Sequence, residues 1–262
     1  MNDFTFVQVP NRLVHPLMYP FSLSLLYLAA MLEREGAKVA VADLRGSKID
    51  QRALETIPPA KFYGLTATTP EISQAKLLAS MLKARDFHCT TIVGGAHATA
   101  LSQDCQHFFD ITAVGESDYA IVQLFLKGHP GGIIYGGPAP DLDALPFPAR
   151  HLAGDRAFST TLMPGEFFGE GEKAAMLISS RGCPYNCYFC ASARTFPVRF
   201  RSPENVAAEV EELVKRFGVR NFRDESDNLN LSKPWLLKLC QLLKPLEVRW
   251  KGHGRSALPD ED

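Results

Sequence analysis

The stretch AAMLISSRGCPYNCYFC, residues 174–190, joins an apolar run to a cluster of cysteines. Ala174–Ser179 predicts a buried strand, because a short apolar run bounded by turn residues is typical of parallel sheets. Cys183, Cys187 and Cys190 follow it with the spacing C-x3-C-x2-C. The N-terminus lacks the basic start of a secretory signal, so we expect metal ligands or redox thiols here rather than disulfides.

Three thiolates at this spacing can converge on one soft metal centre and leave one position vacant. A structural zinc site usually needs four protein ligands, whereas an iron–sulfur cluster prefers thiolates and can keep one iron open. The alternatives are a zinc loop completed by a distant histidine, His151 or His253, and a plain thiol cluster.

Strand and helix alternate beyond the cysteines. Ser202-Pro203-Glu204 indicates a helix start, with a capping side chain, a proline at the first helical position and an acid in the first turn. A second helix is predicted from Ser232, and strands are predicted over 219–223 and 247–250. Three strands cannot close a barrel, so we expect a fragment or a naturally shortened chain.

Upstream of the cysteines, strands also alternate with helix-length segments. The predicted strands are 4–9, 38–43, 62–66, 90–93, 111–114 and 132–135. This order predicts a doubly wound parallel sheet with helices on both faces, in which ligands bind beyond the carboxyl ends of the strands. The candidate ligand loops are 10–20, 66–70, 94–97 and 115–118.

These patterns divide the chain into a Rossmann-type binding domain over 1–136, a Pro/Gly-rich linker over 137–172 and half of a (β/α) barrel over 173–262. The fold class is therefore α/β throughout.

Composition excludes several classes of protein. The chain has 262 residues, of which 46% are apolar and 22% charged, so it is not a disordered or fibrous protein. Its formal net charge of −1 gives no field that attracts nucleic acid or an anionic membrane. The longest apolar run, 21–32, is too short to span a bilayer. We expect a cytoplasmic protein with neither nucleic acid nor membrane as a partner.

The cysteine loop resembles that of the radical S-adenosylmethionine (SAM) superfamily, in which C-x3-C-x2-C follows the first strand of a βα array and an aromatic precedes the last cysteine. The resemblance implies that Cys183, Cys187 and Cys190 hold a four-iron four-sulfur cluster whose open iron chelates SAM. An electron from the cluster would cleave SAM to methionine and a 5'-deoxyadenosyl radical. Phe189 would lie beside the adenine.

Three further residues are implied by the same resemblance. Asp224 and Glu225 follow the second strand, where related enzymes place acids near the methionyl or ribose groups of SAM. Arg255, after the third strand, resembles a recurrent arginine of this subgroup. A solvated acidic turn and a surface charge are the alternative interpretations of these positions.

The layout of the whole chain resembles the radical SAM branch that carries an N-terminal cobalamin-binding domain. The matching features are the helix, glycine and strand over 24–43, the glycines of 93–97 and the strand end 114–116. Small residues after strands let a corrin ring or its nucleotide tail approach the backbone. The implied cobalamin-binding residues are Thr66, Gly94, Gly95, His97, Gly115 and Glu116.

One departure concerns the cobalt ligand. Many cobalamin domains carry D-x-H-x-x-G after the first strand, and 10–16 has no such motif. His15 and His97 are lone histidines, which more often form hydrogen bonds in loops than ligate a metal.

The leading hypothesis is therefore a cobalamin-type radical SAM enzyme, and most specifically a methyltransferase of an unactivated carbon or phosphorus. It would act on a small-molecule substrate and receive electrons from an external donor such as flavodoxin or ferredoxin. The alternatives are a radical SAM oxidative cyclase, a non-catalytic protein that binds cluster and ligand, and a zinc-stabilised structural module.

Overall fold

The computed structural model of the protein describes residues 1–11, 13, 20–159, 171–190 and 197–256. The chain divides into two compact units. The first comprises Met1–Ala139 and Pro146–Ala157, and the second comprises Pro140–Leu145 and Phe158–Asp262. The segment predicted as a linker, 137–172, is therefore shared between the two units.

The first unit contains a six-stranded sheet in which every neighbouring pair is parallel. Its strands are β1 (Asn2–Gln8), β2 (Val39–Asp43), β3 (Ala60–Thr66), β4 (Thr90–Gly94), β5 (Ile111–Val114) and β6 (Gly132–Tyr135). The strand order is β2-β1-β3-β4-β5-β6. The chain reverses direction of winding between β1 and β3, and ligands of open parallel sheets bind at the carboxyl ends beside such a switch point.

Helices connect these strands, and one more helix follows the last of them. They are α1 (Leu23–Arg34), α2 (Gln51–Glu55), α3 (Ile72–Arg85), α4 (Ala96–Ala100), α5 (Ser102–Cys105), α6 (Asp118–Lys127) and α7 (Arg150–Ala153). Strand side chains alternate between two faces. Phe4 of β1 meets Phe125 of α6 edge to face, whereas Val7 packs in a core with Leu78 of α3. Helices therefore cover both faces, and the predicted doubly wound α/β fold is confirmed.

Residues 146–157 of the predicted linker return to the first unit. Ala149 N–H donates to the carbonyl of Leu26, at 3.0 Å, and Phe21 N–H donates to that of Arg156, at 2.7 Å. The sequence could not predict this return, because the segment is rich in proline and glycine and its contacts are to residues more than a hundred positions away.

The second unit begins as a βα array. Its elements are β7 (Ala174–Leu177), β8 (Ser180–Arg181), β9 (Arg199–Phe200), α8 (Pro203–Phe217), β10 (Asn221–Asp224), α9 (Lys233–Leu243) and β11 (Arg249–Gly252). Three of the strands form a parallel sheet in the order β11-β10-β7. The predicted start of α8 is confirmed, since Ser202 Oγ accepts from Asn205 N–H at 3.1 Å. Such a cap stabilises a helix by about 1 kcal/mol.

The prediction of a strand over 247–250 is wrong by two residues. Glu247 has a φ of 52° and donates its N–H to the carbonyl of Lys244, so the chain is still turning there. The antiparallel pair β8–β9 was not predicted either, because two-residue strands carry no periodicity.

Within the described residues, every helix falls short of the length and apolar character that crossing a membrane requires.

Candidate functional site

The ends of β3 and β4 bring four of the predicted cobalamin residues together. Thr66 and Gly94 are partners in the strand register. Just beyond them, Ala67 N–H donates to the carbonyl of Gly94, at 3.1 Å, and His97 N–H donates to that of Ala67, at 3.2 Å. Gly95 lies between these two contacts, so the loops after β3 and β4 are joined at the carboxyl edge of the sheet.

Gly95 is required by this close approach. Its φ is +95°, and a Cβ added to it would lie 2.7 Å from Thr66 Oγ1 and 3.0 Å from the carbonyl oxygen of Ala67. Any side chain would combine left-handed strain with overlap against the neighbouring loop. Consequently no side chain projects from the backbone at this position of the sheet edge, and Gly95 itself is exposed.

His97 is 6% exposed in the first turn of α4. Its Nδ1 lies 3.1 Å from Thr69 Oγ1, and its Nε2 is buried without a hydrogen-bond partner among the described residues. Buried polar atoms are nearly always paired, so this orphaned nitrogen calls for a partner from outside the described chain.

Gly115 and Glu116 follow the neighbouring strand β5 and are half-buried. Gly115 has a φ of 79°, and its N–H donates to Thr99 Oγ1 at 3.1 Å. Glu116 Oε2 accepts from Ala139 N–H at 3.4 Å. All six predicted residues thus lie at or just beyond the carboxyl ends of three adjacent strands, while His15 lies outside the described residues.

These residues fit a cofactor laid across the strand ends. The glycines present backbone without side chains, and the orphaned imidazole nitrogen supplies a polar atom at the same edge. A corrin ring needs such a low surface over several strand ends.

A cleft of about 690 Å³ at the carboxyl end of β2 was missed by sequence reasoning. Its buried acid, Asp43, pairs with Arg45 at 2.6 Å and with Arg156 at 3.3 Å. Burial raises the pKa of Asp43, but hydrogen bonds and charge from Arg45 outweigh burial and hold that pKa below its usual value. The signal was absent from the sequence because Arg156 lies more than a hundred residues from Asp43.

In the second unit, the cysteine loop follows β7 and β8 at the carboxyl end of the sheet. Cys183 and Cys187 are half-buried, Cys190 is exposed, and none of the three is in a disulfide. Cys190 N–H donates to the carbonyl of Cys187 at 3.0 Å. Phe189, the predicted adenine neighbour, is 91% exposed.

Through the part of the chain that the structure describes, no three His, Cys, Asp or Glu side chains are close enough to hold a metal ion. The chemistry of the donor set still fits an iron–sulfur cluster, since three free thiols share one accessible loop. Of the histidines considered for zinc, His151 belongs to the first unit, 3.1 Å from Glu33. His253 accepts from Leu229 N–H through its carbonyl.

The three other predicted SAM residues lie at or just after the carboxyl ends of β10 and β11. Asp224 is 1% exposed, and its Oδ1 accepts from the hydroxyl of Ser226. The carboxylate of Glu225 pairs with Arg223 at 2.9 Å. Arg255 lies over the ring of Tyr185. Their roles toward SAM stay predictions.

Fold and site together define a cofactor-binding α/β domain followed by a parallel array with a cysteine loop. Residues 14–125 match the family model of the B12 binding domain, and residues 177–248 match that of the Radical SAM superfamily. The chain therefore carries, in this order, a region similar to B12-binding domains and a region similar to the radical SAM superfamily. These matches support cobalamin, SAM and a four-iron four-sulfur cluster as its cofactors.

Three curated relatives align with most of the chain. An uncharacterized methyltransferase of Pyrococcus horikoshii is 26% identical over 89% of this chain and 55% of its own length. The cytidylyl-2-hydroxyethylphosphonate methyltransferase of Streptomyces wedmorensis is 23% identical over 92% and 57%. The anaerobic magnesium-protoporphyrin IX monomethyl ester cyclase of Rubrivivax gelatinosus is 25% identical over 86% and 45%. The chain spans about half the length of these relatives.

Proposed function

We propose that this chain provides the cofactor-binding part of a cobalamin-dependent radical SAM methyltransferase that acts on an unactivated carbon or phosphorus of a small molecule. The observation that carries the proposal is the order of two sites along one chain. A glycine-lined sheet edge comes first, and a three-cysteine loop at the end of a parallel strand follows it. Two of the three relatives described above are named methyltransferases.

In this proposal, Cys183, Cys187 and Cys190 hold the cluster. The cluster and SAM supply radical initiation when bound, and cobalamin supplies methyl-group transfer. The three thiols fix the metal by thiolate ligation, which requires each of them to be deprotonated. Phe189, already exposed on the same loop, is available to cover an adenine ring. Electrons would come from an external donor of the flavodoxin or ferredoxin kind.

Toward cobalamin, the backbone of Gly94, Gly95 and Gly115 would let the corrin approach the sheet edge. Thr66 and Glu116 would supply oxygen atoms at the margins, and His97 would offer its orphaned Nε2. We propose accordingly that 1–136 is the cobalamin domain and 173–262 the opening of the radical SAM barrel, joined through 137–172.

The experiment is anaerobic reconstitution with iron and sulfide, followed by visible absorption and EPR of the reduced protein with and without SAM. We expect an iron–sulfur signal that shifts when SAM is added. Cys183→Ala should abolish the signal, whereas Cys240→Ala, which removes an exposed cysteine of α9, should leave it intact. Bound zinc without iron or labile sulfide would overturn the proposal in favour of a structural zinc module.

A second candidate, an oxidative cyclase, is favoured by the alignment with the Rubrivivax gelatinosus cyclase. The two reactions differ in how SAM is consumed. A cobalamin-dependent methyltransferase would leave S-adenosylhomocysteine from SAM, which a cyclase has no need to form. Incubation of the reconstituted protein with reduced hydroxocobalamin and methyl-labelled SAM should therefore give labelled corrinoid and S-adenosylhomocysteine. Cluster and cobalamin binding without these products would favour the cyclase, or a protein that binds the cofactors without catalysis.

A further inference from the structure

The cysteine loop is closed at its base by a short ladder. β8 precedes the loop and β9 follows it, and the two pair antiparallel with Ser180 opposite Phe200. Ser179 and Ser180 are 0% and 1% exposed, whereas the cysteines farther along the loop are half-buried or exposed. The entry side of the base is thus buried, while β9 and the cysteines of the loop are half-buried or exposed.

Ser226, two residues after β10, holds the entry to the loop. Its hydroxyl oxygen accepts the N–H groups of Ser179, at 3.0 Å, and Ser180, at 2.8 Å. The same hydroxyl donates to Asp224 Oδ1 at 2.5 Å. The hydroxyl of Ser179 lies 3.1 Å away as a further neighbour, so every hydrogen-bonding position of the Ser226 hydroxyl has a partner. Ser226 is 2% exposed, so water cannot replace these bonds.

Arg201, the residue after β9, binds the backbone just before β8. Its backbone N–H donates to the carbonyl of Ser179 at 2.9 Å, and its Nη1 donates to that of Ile178 at 3.1 Å. The guanidinium is fixed in turn by α8, through Glu209 at 2.5 Å and Asn205 Oδ1 at 2.7 Å. Arg201 and Glu209 are 4% and 1% exposed, which makes this a buried, charge-assisted contact.

We propose that Ser226 and Arg201 are positioning residues for the cluster, an inference that rests on the proposed function. They touch no cysteine, yet they fix the backbone from which Cys183 emerges three residues after Ser180. A fixed base therefore limits the positions that the thiols can take toward a cluster. Outer contacts of this kind commonly determine how firmly a metal is held.

The first test compares Ser226→Ala with Asn221→Ala. Asn221 lies at the opposite end of β10, is also 2% exposed, and donates to the carbonyl of Lys173 at 3.2 Å. Each variant removes a buried polar group near one end of β10, but only Ser226 touches the loop base. The reconstituted cluster is challenged with an iron chelator and its visible absorption is followed over time.

We expect Ser226→Ala to lose its cluster about tenfold faster than the parent protein. Asn221→Ala should stay within about twofold of the parent, because its site is distant from the loop. The thermal unfolding midpoints of the two unreconstituted variants should fall by similar amounts. Equal rates of cluster loss in both variants, or a parental rate in Ser226→Ala, would overturn the inference.

A second variant separates positioning from folding stability. The double substitution Arg201→Met with Glu209→Leu replaces the buried ion pair by apolar side chains, an exchange that often preserves stability. It removes the side-chain bond to Ile178 all the same. We expect an unfolding midpoint near that of the parent and a severalfold faster loss of cluster. Parental cluster retention in this variant would show that Arg201 is only a structural residue.

Amide hydrogen exchange of the unreconstituted protein distinguishes failure of this inference from failure of the proposed function. The N–H groups of Ser179 and Ser180 should exchange about tenfold faster in Ser226→Ala than in Asn221→Ala. If the exchange differs as expected but the parent binds no cluster, the base exists and the proposed function is what fails, taking the positioning role with it. If a cluster forms and exchange is unchanged, only the present inference is overturned.

Discussion

The guanidinium of Arg255 lies over the ring of Tyr185, with its Cζ 3.9 Å from the ring centroid. Tyr185 belongs to the cysteine loop and Arg255 follows β11, so this contact joins the third strand of the sheet to the loop. The backbone of Arg255 is fixed by Asn230, which accepts from its N–H at 3.1 Å and donates to its carbonyl at 2.8 Å. Resemblance alone assigned Arg255 to SAM, whereas its contact in the structure is with the loop.

We expect Arg255→Ala and Tyr185→Leu each to lower the free energy of unfolding by about 0.5–1 kcal/mol, the usual size of an exposed cation–π contact. The double variant should lose little more than either single variant, because both remove the same contact. Urea denaturation measures all three. Fully additive losses would contradict the contact. Should Arg255→Ala alone abolish the SAM-induced EPR shift, Arg255 would act on SAM as the resemblance implies.

The six cysteines should divide by reactivity. Burial raises the pKa of the Cys89 and Cys105 thiols, and thiolates are the reactive form. We therefore expect a maleimide to label Cys240 and the three loop cysteines of the folded, unreconstituted protein, and to spare Cys89 and Cys105.

After reconstitution, mass spectrometry should find the three loop cysteines protected and Cys240 still labelled. Cys240 is the control because it is exposed and belongs to α9 rather than to the loop. If a loop cysteine is labelled after reconstitution as fast as in the unreconstituted protein, that cysteine is not a ligand.

The paired Asp43 should make the stability of the first unit depend on pH. Its pKa is lowered in the folded protein, so its contribution is present above the unfolded pKa, about 3.9, and is lost as pH falls through the folded pKa. Asp43→Asn should cost about 1–3 kcal/mol at pH 7, since it leaves Arg45 without its carboxylate. The cost should shrink toward zero as the solution becomes more acid than the folded pKa.

Denaturant titrations across this pH range give the comparison. Glu55→Gln changes an exposed acid of the same unit and should shift stability by less than about 0.5 kcal/mol. If Asp43→Asn lowers the free energy of unfolding by the same amount at every pH, the ion pair does not form in solution.

Gly95→Ala tests the joined loops of β3 and β4, with Gly36→Ala as its matched control. Both glycines have positive φ, but a Cβ at Gly36 meets nothing within 4 Å. Left-handed strain should cost each variant about 1 kcal/mol, and overlap with Thr66 should add about 1–3 kcal/mol at Gly95 alone. Gly95→Ala should also lose cobalamin on gel filtration, as followed by absorbance, while Gly36→Ala retains it. Equal stability of the two variants would refute the close approach.

The two structural predictions that succeeded have local causes. The helix from Pro203 begins where it was expected because its cap, Ser202, lies one residue before it. The parallel sheet followed from alternating apolar runs and helical stripes, which depend only on neighbouring residues. The predicted position of β11 was wrong by two residues because the turn at Glu247 depends on its backbone conformation, which no side-chain pattern indicates.

The sequence by itself determined the class of fold, the order of the two domains and the cysteine spacing that indicates the cluster, because each depends on residues close together in the chain. Only the tertiary structure decided that Ser226 and Arg201 hold the base of the cysteine loop and that Arg156 returns to Asp43. Those contacts join residues tens to more than a hundred positions apart. Burial and hydrogen-bond geometry create them, and neither exists until the strands have packed.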